Sequence, residues 1–381
     1  MPVIYPDSEA LGILVCERQG RPPFAESGFL RRLILAGIAA GLRVFAFDPR
    51  MWRPNGKTVP GWTPEPEGTG WRLSEHPLPA LLYDRAWPAD DDERVRFRQA
   101  MSELESALKP IRLNGKLPGK WRVFSVLSGH AQTSRLLPPT EIYDGPGSFH
   151  DFLKRCGGSL FLKPAGGGQG RRTAACTTET DGRVRVRGRS GANRPFDLTF
   201  RDGREASGKL ERWIGNRLYL MQPYLSLTGS DGKPFDIRVL AQKNGRGRWA
   251  VTGIAARCGP AGTVTANLHG GGRACPADER LSDLFGTARS AEILREIRGV
   301  CAPIVRILEQ HFGRFCELGL DFGLDQSGRL WFLEANSKPG RRAMSAIGAS
   351  AANAAAARPI AYAKSILLRP PGRVIHEFDH L

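Results

Sequence analysis

The sequence predicts an α/β fold divided into two or three packed subdomains. Three observations carry this. A chain of 381 residues is longer than a single apolar core usually supports. Its 41% hydrophobic and 24% charged residues are ordinary globular usage, which excludes a disordered or collagen-like chain. Short apolar runs alternate with helix-period stretches, beginning with a β–α–β unit.

Leu11–Val15 (LGILV) reads as a buried strand and Leu42–Phe47 (LRVFAF) as its parallel partner. Between them Ser27–Gly41 reads as a helix, with Ser27 as N-cap and Gly41 at its end. Pro54–Pro79 holds six prolines together with Trp62 and Trp71. It reads as an irregular hairpin with arms Thr58–Trp62 and Gly70–Leu73. Ala80–Asp84 is a further strand, and acidic Asp90–Glu93 opens a helix to about Leu108. Proline and glycine in Lys109–Gly119 mark a boundary.

Beyond it, a helix begins near Lys120–Leu127, and the strand Ser159–Lys163 runs into a glycine-rich loop. Val184–Arg189 alternates at period two as a half-exposed strand. Arg217–Gln222, Asp236–Lys243 and Trp249–Arg257 are strands. Ile293, Ile297, Val300, Ile304 and Leu308 define a helix over about Ala288–Phe312, with a kink expected at Pro303. Strands Leu318–Leu324 and Leu330–Glu334 flank the turn Asp325–Gly328, and Ala349–Ala357 is a helix. The chain therefore divides into 1–110, 111–216 and 217–381.

Several function classes are excluded. Met1–Ala10 lacks the basic and apolar regions of a secretory signal, and no run of about 18 apolar residues reads as a membrane span. The seven cysteines are widely spaced without a CxxC, which argues against a disulfide framework or zinc knuckle and fits a reducing cytosol. HExxH, GxSxG and the P-loop pattern GxxxxGK[ST] are missing. The net charge is +17, and arginine outnumbers lysine 44 to 11. This balance fits a phosphate-bearing or acidic ligand, and the arginine skew equally fits a GC-rich genome. Arg183, Arg185, Arg187 and Arg189 form an alternating basic stripe, but no nucleic-acid motif surrounds them, so nucleic acid is disfavoured.

Four constellations carry chemistry. In FLKPAGGGQGR (Phe161–Arg171) a strand delivers Lys163 to a loop containing Gly166, Gly167, Gly168 and Gly170. Glycine lets backbone N–H groups approach an anion, and lysine adds a point charge. In GLDFGLDQSGRLWFLEANSKPGR, Asp321 on one strand and Glu334 and Asn336 on the returning strand bring three oxygen donors together. Without histidine or cysteine, such a set suits a hard cation shared with phosphate, Mg²⁺ with Mn²⁺ as substitute. In LMQPYL (Leu220–Leu225), the Pro223 carbonyl and the Leu225 N–H suit the edge of an adenine, although a strand between domains has the same pattern. Arg238, Arg257 and the glycine-rich loop TANLHGGG (Thr265–Gly272) suit a doubly charged acyl phosphate. His269 in that loop reads as structural.

In order and spacing, these elements resemble the ATP-grasp superfamily over roughly Asn114–Gly340, and within it the endospore coat-associated YheC/YheD-like branch. The resemblance rests on YDR (Tyr83–Arg85), GKW (Gly119–Trp121), LLPPT (Leu136–Thr140), LKP (Leu162–Pro164) and ELGLDFG…WFLEANSKPGR. DIR…R…NLHGGG is also similar to the ribosomal-protein glutamate ligases.

The resemblance implies an α+β ATP-grasp fold, in which 1–110 is a pre-ATP-grasp domain. Residues 111–216 would then be the central subdomain and 217–381 the C-terminal one, with ATP between them. It implies that Lys120, Lys163, Gly167 and Gly168 hold phosphates and that Gln222, Pro223 and Leu225 hold adenine. Asp321, Glu334 and Asn336 would bind Mg²⁺, and Arg238, Arg257 and Asn267 would face the transferring group. Many relatives carry Glu where this chain has Gln222. Asp231, Ser226 and Thr228 are alternatives for the ribose.

The implied reaction is carboxylate–amine ligation through an acyl phosphate, on a peptide or protein of spore coat formation. The implied setting is cytoplasmic or coat-associated, and a homodimer is compatible. A non-catalytic ATP-binding coat component and an ATP-grasp kinase are the competing readings. Substrate specificity is expected near Trp62, Trp71 and Arg85 and in the loop Asn267–Gly272.

Overall fold

Three sheets organise the chain in the computed structural model, which describes residues 7–266, 268 and 271–368. In the first, β1 (Asp7–Leu14) leads through α1 (Ser27–Ala39) to its parallel neighbour β2 (Arg43–Phe47). The tryptophan-bearing hairpin is β3 (Thr58–Pro64) with β4 (Trp71–Pro77), longer than the sequence implied. β5 (Pro79–Asp84) pairs with β1 in parallel. α2 (Asp91–Leu108) follows, and β6 (Ile111–Arg112) closes the order β4-β3-β2-β1-β5-β6. The expected cap of α1 is corrected. Glu26, not Ser27, occupies the N-cap, with φ of 57°. Its carboxylate accepts from Arg85 and the Trp87 indole and makes no capping bond to the helix. Asp90 does cap α2, accepting from the Glu93 N–H at 2.7 Å.

α3 (Lys120–Ser128) and α4 (Ala131–Ser134) lead to the second sheet. This contains β7 (Glu141–Ile142), then, after α5 (Gly145–Arg155), β8 (Ser159–Pro164), β9 (Thr173–Thr178), β10 (Val184–Arg189) and β11 (Pro195–Phe200). α6 (Gly203–Ile214) precedes β12 (Tyr219–Pro223), and the order is β11-β10-β9-β8-β12-β7. Phe149 and Phe152 of α5 pack on Leu160, Leu162 and Met221 of the sheet. The sequence reading missed β9, β11, α5 and α6. The basic stripe on β10 is broken up: Arg185 pairs with Asp197 at 2.7 Å, Arg183 with Asp181 at 2.6 Å, and Arg189 is buried.

The third sheet holds β13 (Phe235–Lys243), β14 (Trp249–Cys258) and β15 (Arg273–Pro276). α7 (Ala277–Phe285) and α8 (Thr287–Phe312, continuous through Pro303) precede β16 (Glu317–Leu324) and β17 (Leu330–Asn336). The order is β15-β14-β13-β16-β17, all antiparallel. β16 is buried along its whole length. α8 fills one face, and Val123 and Leu127 of α3 join the same core. α9 (Arg342–Ala346) and α10 (Ala349–Leu367) end the described chain. α10 runs ten residues past the alanine-rich stretch and returns to the first sheet, where Ala356 and Ile360 join the core beneath α1.

A buried polar network joins the first sheet to the third. Glu317 accepts from the Tyr83 hydroxyl at 2.6 Å, from Arg85 at 3.3 Å, from Gln242 at 2.9 Å and from Arg341 at 2.5 Å. The Arg85 side chain is fully buried, and Trp62 and Trp71 pack against the core of the first sheet. Arg85 therefore holds the fold together, whereas the two tryptophans are partly buried.

Candidate active site

One face of the third sheet carries an ordered array of charges. Asp236 and Arg238 are two apart on β13, so they project to the same side. Asp236 lies opposite Arg257 of β14, Arg238 opposite Asp321 of β16, and Asp321 opposite Glu334 of β17. A bulge just after the Asp321–Glu334 pair inserts Leu333 and turns the end of β17. Arg238 donates to both oxygens of Asp321, with Nη2 to Oδ2 at 2.8 Å. Arg257 donates to Asp236 at 2.5 and 2.8 Å and to Asp321 Oδ2 at 2.9 Å. Burial pushes the Asp321 carboxyl up, but the two guanidinium groups outweigh it and bring it down to about 2.

The second sheet faces this array. Lys163, at the end of β8, donates to the Leu333 carbonyl at 3.3 Å. Burial pulls its pKa from 10.5 down to about 8, against the charge of Glu334. Lys120, the first residue of α3, donates to the Gly167 carbonyl at 2.7 Å and lies 3.7 Å from Glu334 Oε2. At Gly167 the backbone has φ of 81°, a region that favours glycine. A Cβ on Gly166, Gly167 or Gly168 would meet nothing within 4 Å, so the loop is open rather than packed. On β12, Gln222 donates through Nε2 to Thr140 Oγ1 at 2.8 Å. That leaves its carbonyl oxygen as the acceptor for a ligand.

These residues line one cleft between the sheets. It is lined by the charged Lys120, Lys163, Arg257, Asp321 and Glu334 and by Phe161, Leu225 and Leu333 beside Gln222 and Pro223. Gly168 also lines it. Gly167, Arg238 and Asn336 line an adjoining wider groove, into which Lys120, Arg257 and Glu334 also reach. Thr228 borders the cleft, whereas Asp231 is engaged by Arg280 at 2.9 Å. Asn267 and His269 lie outside the described residues. Sequence reasoning missed Asp236 as the partner of Arg257 and Thr140 as the partner of Gln222. The period-two pair in DIR was the available signal for Asp236. Nothing local pointed to Thr140, which is 82 positions from Gln222.

The donors fit a hard cation. Asp321 Oδ2 accepts two bonds, whereas Oδ1 accepts one and keeps a lone pair. Asn336 Nδ2 donates to Glu334 Oε1 at 3.2 Å, which leaves Glu334 Oε2 and the Asn336 carbonyl oxygen for coordination. All three are oxygen donors of the kind Mg²⁺ prefers.

Residues 111–366 match the family described as YheC/D like ATP-grasp. The chain belongs to this family. The endospore coat-associated protein YheC of Bacillus subtilis (strain 168) is 27% identical over 344 residues, 88% of this chain and 89% of that protein. In structure the chain is similar to D-cycloserine synthetase DcsG, with a TM-score of 0.54 at 15% identity over 94% of this chain and 98% of that one. It is also similar to a Chryseobacterium gregarium RiPP-associated ATP-grasp ligase in complex with ADP and a leader and core peptide. There the TM-score is 0.51 at 11% identity, covering 94% of this chain and 96% of that one. The ATP-grasp fold expected from the motifs is therefore present. None of the α helices is long and apolar enough to cross a membrane among the described residues.

Proposed function

We propose that the protein is an ATP-dependent carboxylate–amine ligase acting through an acyl phosphate on a peptide or protein. One observation carries this reading. Lys120 of α3 and Lys163 of the second sheet meet Asp321 and Glu334 of the third in a single cleft, which is also lined by Gln222 and by the apolar Phe161, Leu225 and Leu333. The phosphates would lie with Lys120, Lys163, Gly167 and Gly168, and the adenine with Gln222, Pro223 and Leu225. Asp321, Glu334 and Asn336 would hold Mg²⁺, or Mn²⁺ in its place. The bound cation supplies charge neutralisation of the phosphate oxygens. The functional division is 1–110, 111–216 and 217–381, with the nucleotide between the last two.

In the first step a substrate carboxylate oxygen attacks the γ-phosphorus and the bond to the β–γ bridging oxygen breaks, releasing ADP. In the second, an amine nitrogen attacks the acyl carbon. Phosphate leaves with the C–O electron pair, and the amine proton passes to solvent or phosphate. Arg238 and Arg257, with Asn267, would neutralise the oxygens of the acyl phosphate. No protein nucleophile is required, and catalysis is positioning plus charge stabilisation. The 27% identity to a coat-associated protein motivates a role in spore coat formation.

The test is ADP release from MgATP with amino acids, peptides and a sporulation-stage lysate, with hydroxylamine as trap. Wild type should release ADP and yield a hydroxamate, and Glu334→Ala should do neither. A phosphorylated hydroxyl product without hydroxamate would identify a kinase. Nucleotide binding without ADP release in any pool would identify a non-catalytic component.

A further inference from the structure

The groove adjoining the cleft shares Lys120, Gly167, Gly168, Arg238, Arg257, Glu334 and Asn336 with the proposed nucleotide and metal site and extends past them to Arg18, Arg32, Lys116 and Arg342. Its volume is about 1310 Å³, above the roughly 300–1,000 Å³ of small-molecule pockets. Nine basic and two acidic residues line it. The two acids are already committed: Glu26 is bound to Arg85, and Glu334 lies at the catalytic end beside Lys120. On the basic side, Arg238, Arg257, Lys338 and Arg341 have carboxylate partners. Arg18, Arg32, Lys116 and Arg342 have none among the described residues. They come from four segments, so the excess positive charge is spread along the groove rather than confined to one helix face.

Two guanidinium groups there hold buried donors without acceptors. Nε of Arg32 and both Nε and Nη1 of Arg341 are buried and find no partner among the described residues. Arg341 is only 5% exposed and stacks over the Phe29 ring at 4.3 Å. Buried donors normally have partners, and an acceptor supplied by a ligand would satisfy these.

We propose that this groove binds an acidic peptide segment, whose carboxylates meet Arg32, Lys116 and Arg342 while one carboxylate enters the cleft to react. The occupant is a chain rather than a free amino acid because of the groove's volume and the spread of its cations. It is a peptide rather than a single-stranded nucleic acid because stacked bases need aromatic platforms. Phe29 and Trp87 are the aromatic residues lining the groove, and both already face cations, Phe29 under Arg341 and Trp87 beside Lys338. The inference deepens the ligase reading by naming its substrate class. Binding of the peptide does not depend on nucleotide, so the two can be tested apart.

The experiment is fluorescence anisotropy on the full chain without nucleotide, using labelled hexaglutamate, hexaglutamine and a twelve-nucleotide single-stranded RNA as probes. Hexaglutamate should bind more than about tenfold tighter than hexaglutamine, with an affinity that falls as salt rises. The triple variant R32Q/K116Q/R342Q should weaken hexaglutamate by roughly tenfold or more, and R246Q/R295Q/R298Q, which removes the same charge outside the groove, by less than about twofold. Equal binding of hexaglutamine, or equal loss in both triple variants, would overturn the proposal. So would RNA that binds tighter than hexaglutamate and loses affinity in the groove variant. In a separate arm, ADP release is measured with hexaglutamate and hydroxylamine. Groove binding without ADP release would count against the ligase reading and leave the acidic-peptide site standing.

Discussion

Arg238 of β13 lies opposite Asp321 of β16, and its guanidinium grips both carboxylate oxygens. Asp321 therefore has two duties, as candidate metal ligand and as counter-charge for two buried arginines. Asp321→Asn should abolish ADP release and also destabilise the fold by about 3 kcal/mol, because Arg238 loses its carboxylate partner while Arg257 keeps Asp236. Glu334→Gln should abolish ADP release with little change in melting temperature, because among the described residues Glu334 forms an ion pair only with Lys120, at 3.7 Å. Melting both variants without nucleotide separates the two duties. Equal stability of the two would remove the counter-charge role.

Lys163 sets a pH dependence. Its folded pKa of about 8 lies below the ordinary 10.5. Below pH 8 the lysine is charged in both states and the cost of burying that charge is at its full value. As pH rises from about 8 to about 10.5 the unfolded chain binds more protons, so this contribution to stability rises with pH. Phosphate binding has the opposite preference and favours the charged amine. Binding of a non-hydrolysable MgATP analogue at pH 8.5 should therefore take up protons, seen as a dependence of the calorimetric heat on buffer ionisation. Lys163→Met should abolish that uptake, and a wild-type heat independent of buffer would contradict the assignment.

Thr140 orients Gln222 through the 2.8 Å bond to Nε2. Thr140→Val removes that acceptor and frees the amide to rotate, at a cost of about 1 kcal/mol. Affinity for ADP should fall roughly fivefold, and the preference for ADP over GDP should narrow. A variant that keeps the wild-type ratio would show that Gln222 does not read the base.

Glu317 is the shared acceptor of the network that joins the first sheet to the third. Glu317→Ala leaves Arg341 and part of Arg85 uncompensated in the interior and should cost several kcal/mol, read as a large fall in denaturant midpoint. Asp197→Ala, which breaks the exposed pair with Arg185, should change stability by under about 1 kcal/mol.

Much of the candidate site was legible in the chain. The turn Asp325–Gly328 between two apolar strands places Asp321 and Glu334 at one end of a hairpin, because a short turn leaves little freedom of pairing. The run from Lys163 through Gly170 read as a loop that an anion could approach, because glycine leaves backbone N–H groups accessible, although glycine-rich turns after strands are common. The net charge of +17 was compatible with an anionic ligand without locating it, and the fourfold excess of arginine over lysine fitted a GC-rich genome equally well.

Tertiary structure decided which of those charges meet. The pairing of Arg257 with Asp236 and of Arg238 with Asp321 depends on strand register, and a shift of one residue would send every side chain to the other face. The local period shows that a strand alternates, not which residue lies across from it. Arg85 shows the same limit. Its motif pointed to substrate, yet the return of β16 and α9 places Glu317 and Arg341 around it and closes it off. The docking of α10 on α1 likewise joins residues more than 300 positions apart, and no local pattern encodes such a contact. Short-range spacing thus gave the kinds of group at the site, and the motifs from LKP to EANSKPGR carried the resemblance to the family that the match over residues 111–366 establishes. Long-range packing decided which cations neutralise carboxylates of the fold and which remain in the groove for a ligand.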